Sequence, residues 1–177
     1  GDNAGDNAGE TAGETAGEQG LPDPEPVPII PADPEPVPLF PYGVASGDPR
    51  QASVVIWTAL DPRLANDLLD ATQSSTLTIQ WSLTNIFDES FSEPVETGTA
   101  TISQESGFTL KLNVNGLSPD TRYRYRFAVD QVESDSELVI FSHTGLTRTL
   151  PENADEIRLA LCSCANFSSG YYHAYRH

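Results

Sequence analysis

The sequence predicts an all-β fold: a β-sandwich of the immunoglobulin or fibronectin III type that follows a disordered, acidic and proline-rich leader. Three observations indicate this. From Tyr42 onward, short β-branched and aromatic runs alternate with turn residues. Residues 108–114 alternate strictly between apolar and polar side chains, as a half-buried strand does. Residues 116–123 form a turn followed by Tyr123, the arrangement of a tyrosine corner.

The leader comes first along the chain. Residues 1–20 repeat a four-residue unit of small and acidic residues, which predicts disorder. Residues 21–41 hold 9 of the 14 prolines and repeat a decamer that starts at Asp23 and again at Asp33. Such a segment favours polyproline II and reaches roughly 60 Å at about 3.1 Å per residue. It is interpreted as a stalk that holds a domain off a cell surface; the alternative is an incidental low-complexity leader.

Six strands are predicted after the leader. Residues 60–75, between the first two, are expected to form a loop with a helical turn at most, because Asp61-Pro62 starts a turn. The third and fourth strands are expected to pair as a hairpin through residues 104–107. The predicted strands are residues 52–59, 76–83, 95–103, 107–114, 121–130 and 137–148.

The fifth strand carries aromatic residues on one face and arginines on the other, in the run Arg122-Tyr-Arg-Tyr-Arg-Phe127. The arginines could form an anion-binding stripe. The favoured interpretation is that their stems cover the solvent face of a sheet while their charged heads stay in water.

Each tryptophan lies inside an apolar strand. We expect Trp57 and Trp81 to be core anchors between the two sheets, since stacking on a ligand is a rarer use of such a residue. His143 falls within the sixth strand, where a structural role is favoured over a catalytic one.

Composition excludes several classes of function. The 177 residues contain 26 acidic and 9 basic side chains, a formal net charge of −17. Such a surface repels phosphate backbones and anionic lipid headgroups, so no nucleic-acid-binding surface is expected. The longest apolar runs are far shorter than the roughly 20 residues of a transmembrane helix, so no such span is expected. The first residues lack the basic and apolar regions of a signal peptide, so any export signal has been removed or omitted.

A second domain is predicted to begin after Pro151. The apolar run 157–162 has the form of a first buried strand. It ends in Cys162-Ser-Cys164, a spacing too short for an unstrained disulfide and, on its own, a weak metal signal. Cys164 could form a closed zinc site with His173 and His177, which are four residues apart. A helix that starts after Gly170 explains both histidines without a metal.

Four stretches together resemble the PhoD-like alkaline phosphatase and phosphodiesterase family. They cover the chain from residue 40 nearly to its end, in the order and spacing expected of that family: residues 40–57, 116–127, 145–151 and 159–176. The resemblance implies an accessory N-terminal β-sandwich followed by a metallophosphoesterase domain.

The same resemblance implies a metal centre of Fe³⁺ with Ca²⁺ in the full-length parent enzyme. Cys164, within Ser163-Cys164-Ala165-Asn166, matches the cysteine that ligates iron there, whereas Cys162 is expected to be a small buried hydrophobe. The Gly-Asp and Gly-Asn-His motifs that supply the other ligands are not in this sequence. No catalytic residue is therefore assigned within the chain, substrate-binding residues stay unassigned, and the 177 residues alone are expected to bind no metal and to be inactive.

These inferences predict three segments: a disordered acidic repeat and proline-rich linker over 1–41, the β-sandwich over 42–151, and the truncated start of a metallophosphatase domain over 152–177. The expected function is that of the N-terminal portion of a PhoD-like, metal-dependent phosphatase or phosphodiesterase acting on phosphate mono- or diesters. The parent is expected to be exported to the periplasm, cell surface or medium, with a lipid anchor possible upstream of Gly1.

Two alternative interpretations fit parts of the sequence. The chain could be a freestanding immunoglobulin-like adhesion module on a stalk, but such a module has no use for the extra strand at 157–162. A purple-acid-phosphatase-like protein also joins a fibronectin-like domain to a metallophosphatase, but its metal ligands are not expected to include the Ser163-Cys164 pair. The phosphatase interpretation is therefore favoured.

Overall fold

The computed structural model describes residues 37–133 and 136–154. It confirms the all-β prediction, with two antiparallel sheets. The three-stranded sheet has the order β1-β2-β5, and the five-stranded sheet has the order β4-β3-β6-β7, with β8 also paired to β6. The strands are β1 (Val44–Gly47), β2 (Ser53–Ala59), β3 (Leu77–Asn85), β4 (Glu96–Ile102), β5 (Thr109–Asn115), β6 (Arg122–Glu133), β7 (Ser136–Phe141) and β8 (Gly145–Arg148).

The folded part of the chain begins upstream of the expected boundary at Tyr42. Leu39 and Phe40 are both buried in the core. The carbonyl of Leu39 accepts a hydrogen bond from the Asp61 N–H at 3.0 Å, which fixes the incoming segment against the end of β2. The last residues of the proline-rich run thus belong to the sandwich, because the side chains of Leu39 and Phe40 are part of its core.

The prediction of at most one helical turn after β2 was wrong. Helix α1 (Pro62–Thr72) runs for 11 residues. Asp61 caps it by accepting hydrogen bonds from the N–H groups of Arg63 and Leu64 at 2.9 and 3.0 Å, and Pro62 occupies the first turn. The cap signal was present in the sequence, and burial of Ala65 and Leu69 against the sandwich completes the helix.

The predicted hairpin between β4 and β5 was also wrong. β4 pairs with β3, whereas β5 pairs with β2 in the opposite sheet. A 3-10 turn over Gln104–Ser106 carries the chain from one sheet to the other and ends at Gly107. The φ of Gly107, 62°, would suit a hairpin turn equally well. A turn residue alone does not say which strand a segment pairs with, because the partner depends on which faces become buried.

The long sixth strand is two strands. The chain breaks between β7 and β8 at Ser142, whose N–H donates to the Phe127 carbonyl and whose hydroxyl accepts from the Phe127 N–H, both at 2.9 Å. The Ser142 hydroxyl also donates to the His143 carbonyl at 2.8 Å. His143 therefore lies in this bend and not in a strand, and β1 is a short strand that the sequence pattern did not reveal.

The core lies between the sheets and depends on β6. Tyr123, Tyr125 and Phe127 are buried on its inner face, as the alternating pattern predicts. The rings of Tyr125 and Phe127 meet edge to face at 6.2 Å. Burial raises the pKa of Tyr125 to about 12, against a smaller opposing effect of its hydrogen bond with Ser46. Tyr125 also lies directly over Gly145, its register partner in β8.

The two tryptophans do not have the same role. Trp81 is partly buried against the core, and its indole lies over Gly98, the residue opposite it in β4. Trp57 is half-buried on the outer face of the three-stranded sheet, where its register partners are Ala45 and Lys111. The expectation of two core anchors thus holds only for Trp81, because Val54 and Ile56 occupy the inner face of β2.

The chain enters and leaves the sandwich at opposite ends of β2. The incoming segment is bonded to Asp61, just after β2, and the outgoing Leu150 donates its N–H to the carbonyl of Arg50, just before β2, at 3.0 Å. A seven-residue strand spans about 20 Å. We call these the entry end and the exit end. Across the described residues, none of the helices has the length and apolarity needed to cross a bilayer.

The contact between Tyr125 and Gly145 gives a test of the core. A Cβ at position 145 would overlap the Tyr125 ring, whereas one at Gly47 would meet no atom within 4 Å. We therefore expect Gly145→Ala to lower the free energy of unfolding by about 1–3 kcal/mol, as overpacking does. Gly47→Ala should change it by less than about 0.5 kcal/mol. Urea denaturation of the 177-residue chain measures both, and equal effects would contradict the close packing of the ring.

Candidate functional site

The metal-ligand candidates lie outside the described residues. Cys164 falls in the range 155–177, as do Cys162, His173 and His177, so their structural roles stay predictions. Within residues 37–133 and 136–154, no three His, Cys, Asp or Glu side chains are grouped so as to hold a metal ion.

The most organised polar cluster is in the loop between β3 and β4, residues 86–95. Its hub is Asp88, whose carboxylate accepts five hydrogen bonds. The donors are the hydroxyls of Thr84, Ser90 and Ser92, and the N–H groups of Ser92 and Glu93, at 2.8 to 3.2 Å. These bonds, the Glu93 N–H foremost, hold the pKa of Asp88 far below its usual range against a smaller opposing effect of burial. The carboxylate thus joins both ends of the loop and stabilises its observed conformation.

Arg126 anchors this loop to the sheet. Its guanidinium carbon lies 4.1 Å from the centre of the Phe91 ring and 4.2 Å from that of Phe141, so the cation is stacked between two aromatic faces. Phe91 has a left-handed backbone conformation, with a φ of 57°. The Arg126 Nε is buried and has no hydrogen-bond partner among the described residues. Burial lowers the pKa of the Arg126 guanidinium, and the nearby Asp88 carboxylate opposes that shift.

Arg124 holds the first half of the same loop. Its Nε donates to the carbonyl of Ile86 at 2.5 Å, and its Nη2 lies 2.7 Å from the Glu89 carboxylate. The Arg124 side chain is only 11% exposed. The prediction that the arginine heads of β6 stay in water is therefore wrong for Arg124 and Arg126. The loop folds back over the outer face of the sheet, and both guanidinium groups are engaged by it, so neither forms a free anion-binding stripe.

The tyrosine corner is confirmed and ties the turn before β6 to the outgoing strand. The hydroxyl of Tyr123 accepts from the Ser118 N–H at 2.9 Å. The hydroxyl of Thr149 donates to the Ser118 carbonyl at 2.6 Å and accepts from the Thr121 N–H at 3.0 Å. Arg148 pairs with the Asp120 carboxylate at 2.6 Å. These contacts fix the direction in which the chain leaves β8.

The loop before β2 completes the exit end. The carbonyl of Leu150 accepts from the Asp120 N–H at 3.1 Å, and the Gln51 side chain donates to the Glu152 carbonyl at 3.3 Å. Residues 45–52 are all exposed, and Asp48 has a φ of 44° beside its ion pair with Arg50. At the exit end, the loop before β2, the turn before β6 and the outgoing segment are thus joined by hydrogen bonds.

A groove of about 440 Å³ lies at the entry end, between the end of α1 and the 3-10 turn. Eight of its nine lining residues are polar, Leu69 being the exception; they include the carboxylates of Asp70 and Glu105 and no basic residue. An anionic ligand would therefore be repelled there.

The Asp88 loop was not among the features predicted from the sequence. The signal was present, since an aspartate followed by serines at the second and fourth positions is typical of a side chain that bonds to its own backbone. Phe87, next to it, is 85% exposed although it comes two residues after a strand rich in buried residues and its neighbour Ile86 is buried. Nothing in the local pattern distinguished it from a core residue.

Comparison with known proteins finds a family match over most of the chain. Residues 29–151 match the family model described as the N-terminal domain of PhoD-like phosphatases. The chain is 34% identical over 138 residues to alkaline phosphatase D of Bacillus subtilis (strain 168), a match that covers 76% of this chain and 22% of that protein. The chain thus spans about a fifth of that relative's length.

Solved structures were compared as well. The structure of PhoD matches with a TM-score of 0.49 at 31% identity, covering 67% of this chain and 20% of that one. The sensor domain of the anti-sigma factor RsgI4 of Pseudobacteroides cellulosolvens matches with a TM-score of 0.40 at 12% identity, covering 62% of this chain and 92% of that one.

The stacking of Arg126 predicts the effect of a charge-conserving change. Lysine keeps the charge but cannot lie flat between two rings, so Arg126→Lys should lower the free energy of unfolding by about 1 kcal/mol. Arg50→Lys, at an exposed ion pair, should change it by less than about 0.5 kcal/mol. Urea denaturation followed by tryptophan fluorescence measures both. An unchanged stability of Arg126→Lys would show that the stack contributes nothing.

The lowered pKa of Asp88 predicts a dependence on pH. A carboxyl group whose folded pKa is depressed stabilises the fold above its unfolded pKa of about 4, and this contribution is lost as the pH falls further. We expect the urea midpoint of the 177-residue chain to drop between pH 5 and pH 3 more steeply than that of Asp88→Asn, which cannot titrate at this position. Parallel pH profiles would contradict the assignment.

Proposed function

Because the chain belongs to the family of PhoD-like phosphatase N-terminal domains, we propose that it is the N-terminal portion of an exported, metal-dependent phosphatase or phosphodiesterase. The single observation that carries this proposal is the family match over residues 29–151. The 34% identity to a protein named alkaline phosphatase D supports it, with the match confined to about a fifth of that protein. The substrates are phosphate mono- or diesters.

The hydrolytic chemistry belongs to the segment downstream of the sandwich. The described residues contain no cluster of metal ligands, and their groove at the entry end is acidic. Residues 152–177 begin the metallophosphoesterase domain in this proposal, with Cys164 as an iron ligand of a centre that also takes Ca²⁺. A thiolate is a soft anionic ligand and suits a ferric ion. The 177 residues alone lack the other ligands and are inactive.

The sandwich is an accessory domain placed between a stalk and the enzyme. In this arrangement the leader, residues 1–41, precedes the entry end. The hydrolytic domain follows the exit end, about 20 Å away along β2. A tether upstream of Gly1, such as a lipid anchor, would then carry the enzyme on the side of the sandwich that faces away from the membrane. The acidic composition disfavours direct contact with anionic lipids.

Hydrolysis of bis(p-nitrophenyl) phosphate tests the proposal. We expect turnover by the protein that extends beyond His177 through the full hydrolytic domain, with loss of turnover on chelation. The 177-residue chain should show none. Cys164→Ser in the extended protein should lower kcat/KM by more than about tenfold, because it removes a direct metal ligand.

Cys162→Ser is the matched control, since it removes a thiol two residues away that the proposal leaves out of the metal site. It should retain most of the activity. Turnover by the 177-residue chain would overturn the assignment of the chemistry to the downstream segment. An inactive extended protein would favour a stalked adhesion module.

A further inference from the structure

We propose that the exit end of the sandwich is a docking face for the domain that begins downstream of Ala154 in the same polypeptide. The face is defined by Phe87, Val95 and Leu150, and we call it the exit face. This inference rests on the proposed function, which places a hydrolytic domain there, and it adds the surface through which the two domains contact each other.

The exit face exposes apolar side chains that the fold itself does not use. Phe87 is 85% exposed, Leu150 is 48% exposed and Val95 is 46% exposed. Covering so exposed a phenyl ring with a partner would remove apolar surface from water, which favours association. Exposed apolar patches of this kind mark interaction sites.

Backbone hydrogen bonds place the three residues at the same end of the sandwich. The N–H of Val95 donates to the Leu83 carbonyl in β3, at 2.8 Å. The N–H of Ile86, the neighbour of Phe87, donates to the Arg122 carbonyl at the start of β6, at 3.2 Å. Thr149, the neighbour of Leu150, donates to the Thr121 carbonyl at 3.1 Å. The three residues are therefore spread across the ends of four neighbouring strands, β4, β3, β6 and β8, which are about 4.8 Å apart.

The loop that carries Phe87 is held by contacts within the sandwich itself. The Asp88 carboxylate organises the loop that carries Phe87, and the Phe87 N–H itself donates to the Asn85 side chain at 3.1 Å. Arg124 and Arg126 fasten that loop to β6. A preorganised apolar anchor binds with little further loss of conformational entropy, which favours docking.

The downstream domain is the occupant because of where the chain leaves. The outgoing strand is bonded to the loops at the exit end through Leu150 and Glu152, and the described chain ends two residues later, at Ala154. A domain that follows Ala154 in the same polypeptide is tethered to the exit end, so its contact with the exit face would be intramolecular. The leader is a less favourable occupant of the exit face for two reasons. It joins the sandwich at the entry end, about 20 Å away, and its acidic residues would be repelled by Glu89 and Glu93 in the loop that carries Phe87.

Hydrogen exchange of the loop 86–95 tests the docking. The extended protein is compared with the 177-residue chain, and its loop amides should exchange at least about tenfold more slowly. Phe87→Ser in the extended protein should return the loop to the rate of the shorter chain. Tyr42→Ser is the matched control, because Tyr42 is also an exposed aromatic residue, 61% exposed, at the entry end. It should leave the slow exchange unchanged.

Several outcomes would overturn the proposal. Equal exchange rates in the two proteins would do so, as would an equal loss of protection in Tyr42→Ser. A dimer of the 177-residue chain that Phe87→Ser dissociates in sedimentation would assign the face to a second copy. The hydrolysis assay separates the two proposals: activity without slowed exchange removes only the docking, and slowed exchange without activity removes only the hydrolytic function.

Discussion

The alternation of side chains along β6 is the constraint on which the rest of the structure depends. Its inward residues Tyr123, Tyr125 and Phe127 form the centre of the core, and its outward Arg124 and Arg126 hold the loop between β3 and β4. A strand of period two assigns every second residue to the same face, so one segment performs both tasks. β6 pairs with three other strands, which explains why aromatic and cationic residues are concentrated on it.

The outward arginines show how a solvent face can become a structural one. On an uncovered sheet, their heads would be hydrated and would contribute little. Here the loop 86–95 covers them, and the guanidinium of Arg126 loses water but gains two aromatic faces. The Asp88 carboxylate contributes both the conformation of the loop and a favourable charge beside Arg126. The loop is thereby rigid although it is on the surface.

This rigidity bears on the proposed role of the domain. The tyrosine corner fixes the outgoing strand, and the arginines fix the loop beside it, so the two sides of the exit face are both held by β6. The entry and exit ends are at opposite ends of β2. Within the described residues, the same strand thus organises both the core and the surface at the exit end.

By itself the sequence determined the fold class, the inward face of β6, the tyrosine corner and the family, because each depends on a local pattern or on residues close together in the chain. Only the tertiary structure decided the partners of β4 and β5, the outer position of Trp57 and the engagement of Arg124 and Arg126. The physical reason is that strand pairing and burial depend on segments far apart in sequence. A local period shows that two faces differ, but it does not show what will cover either of them.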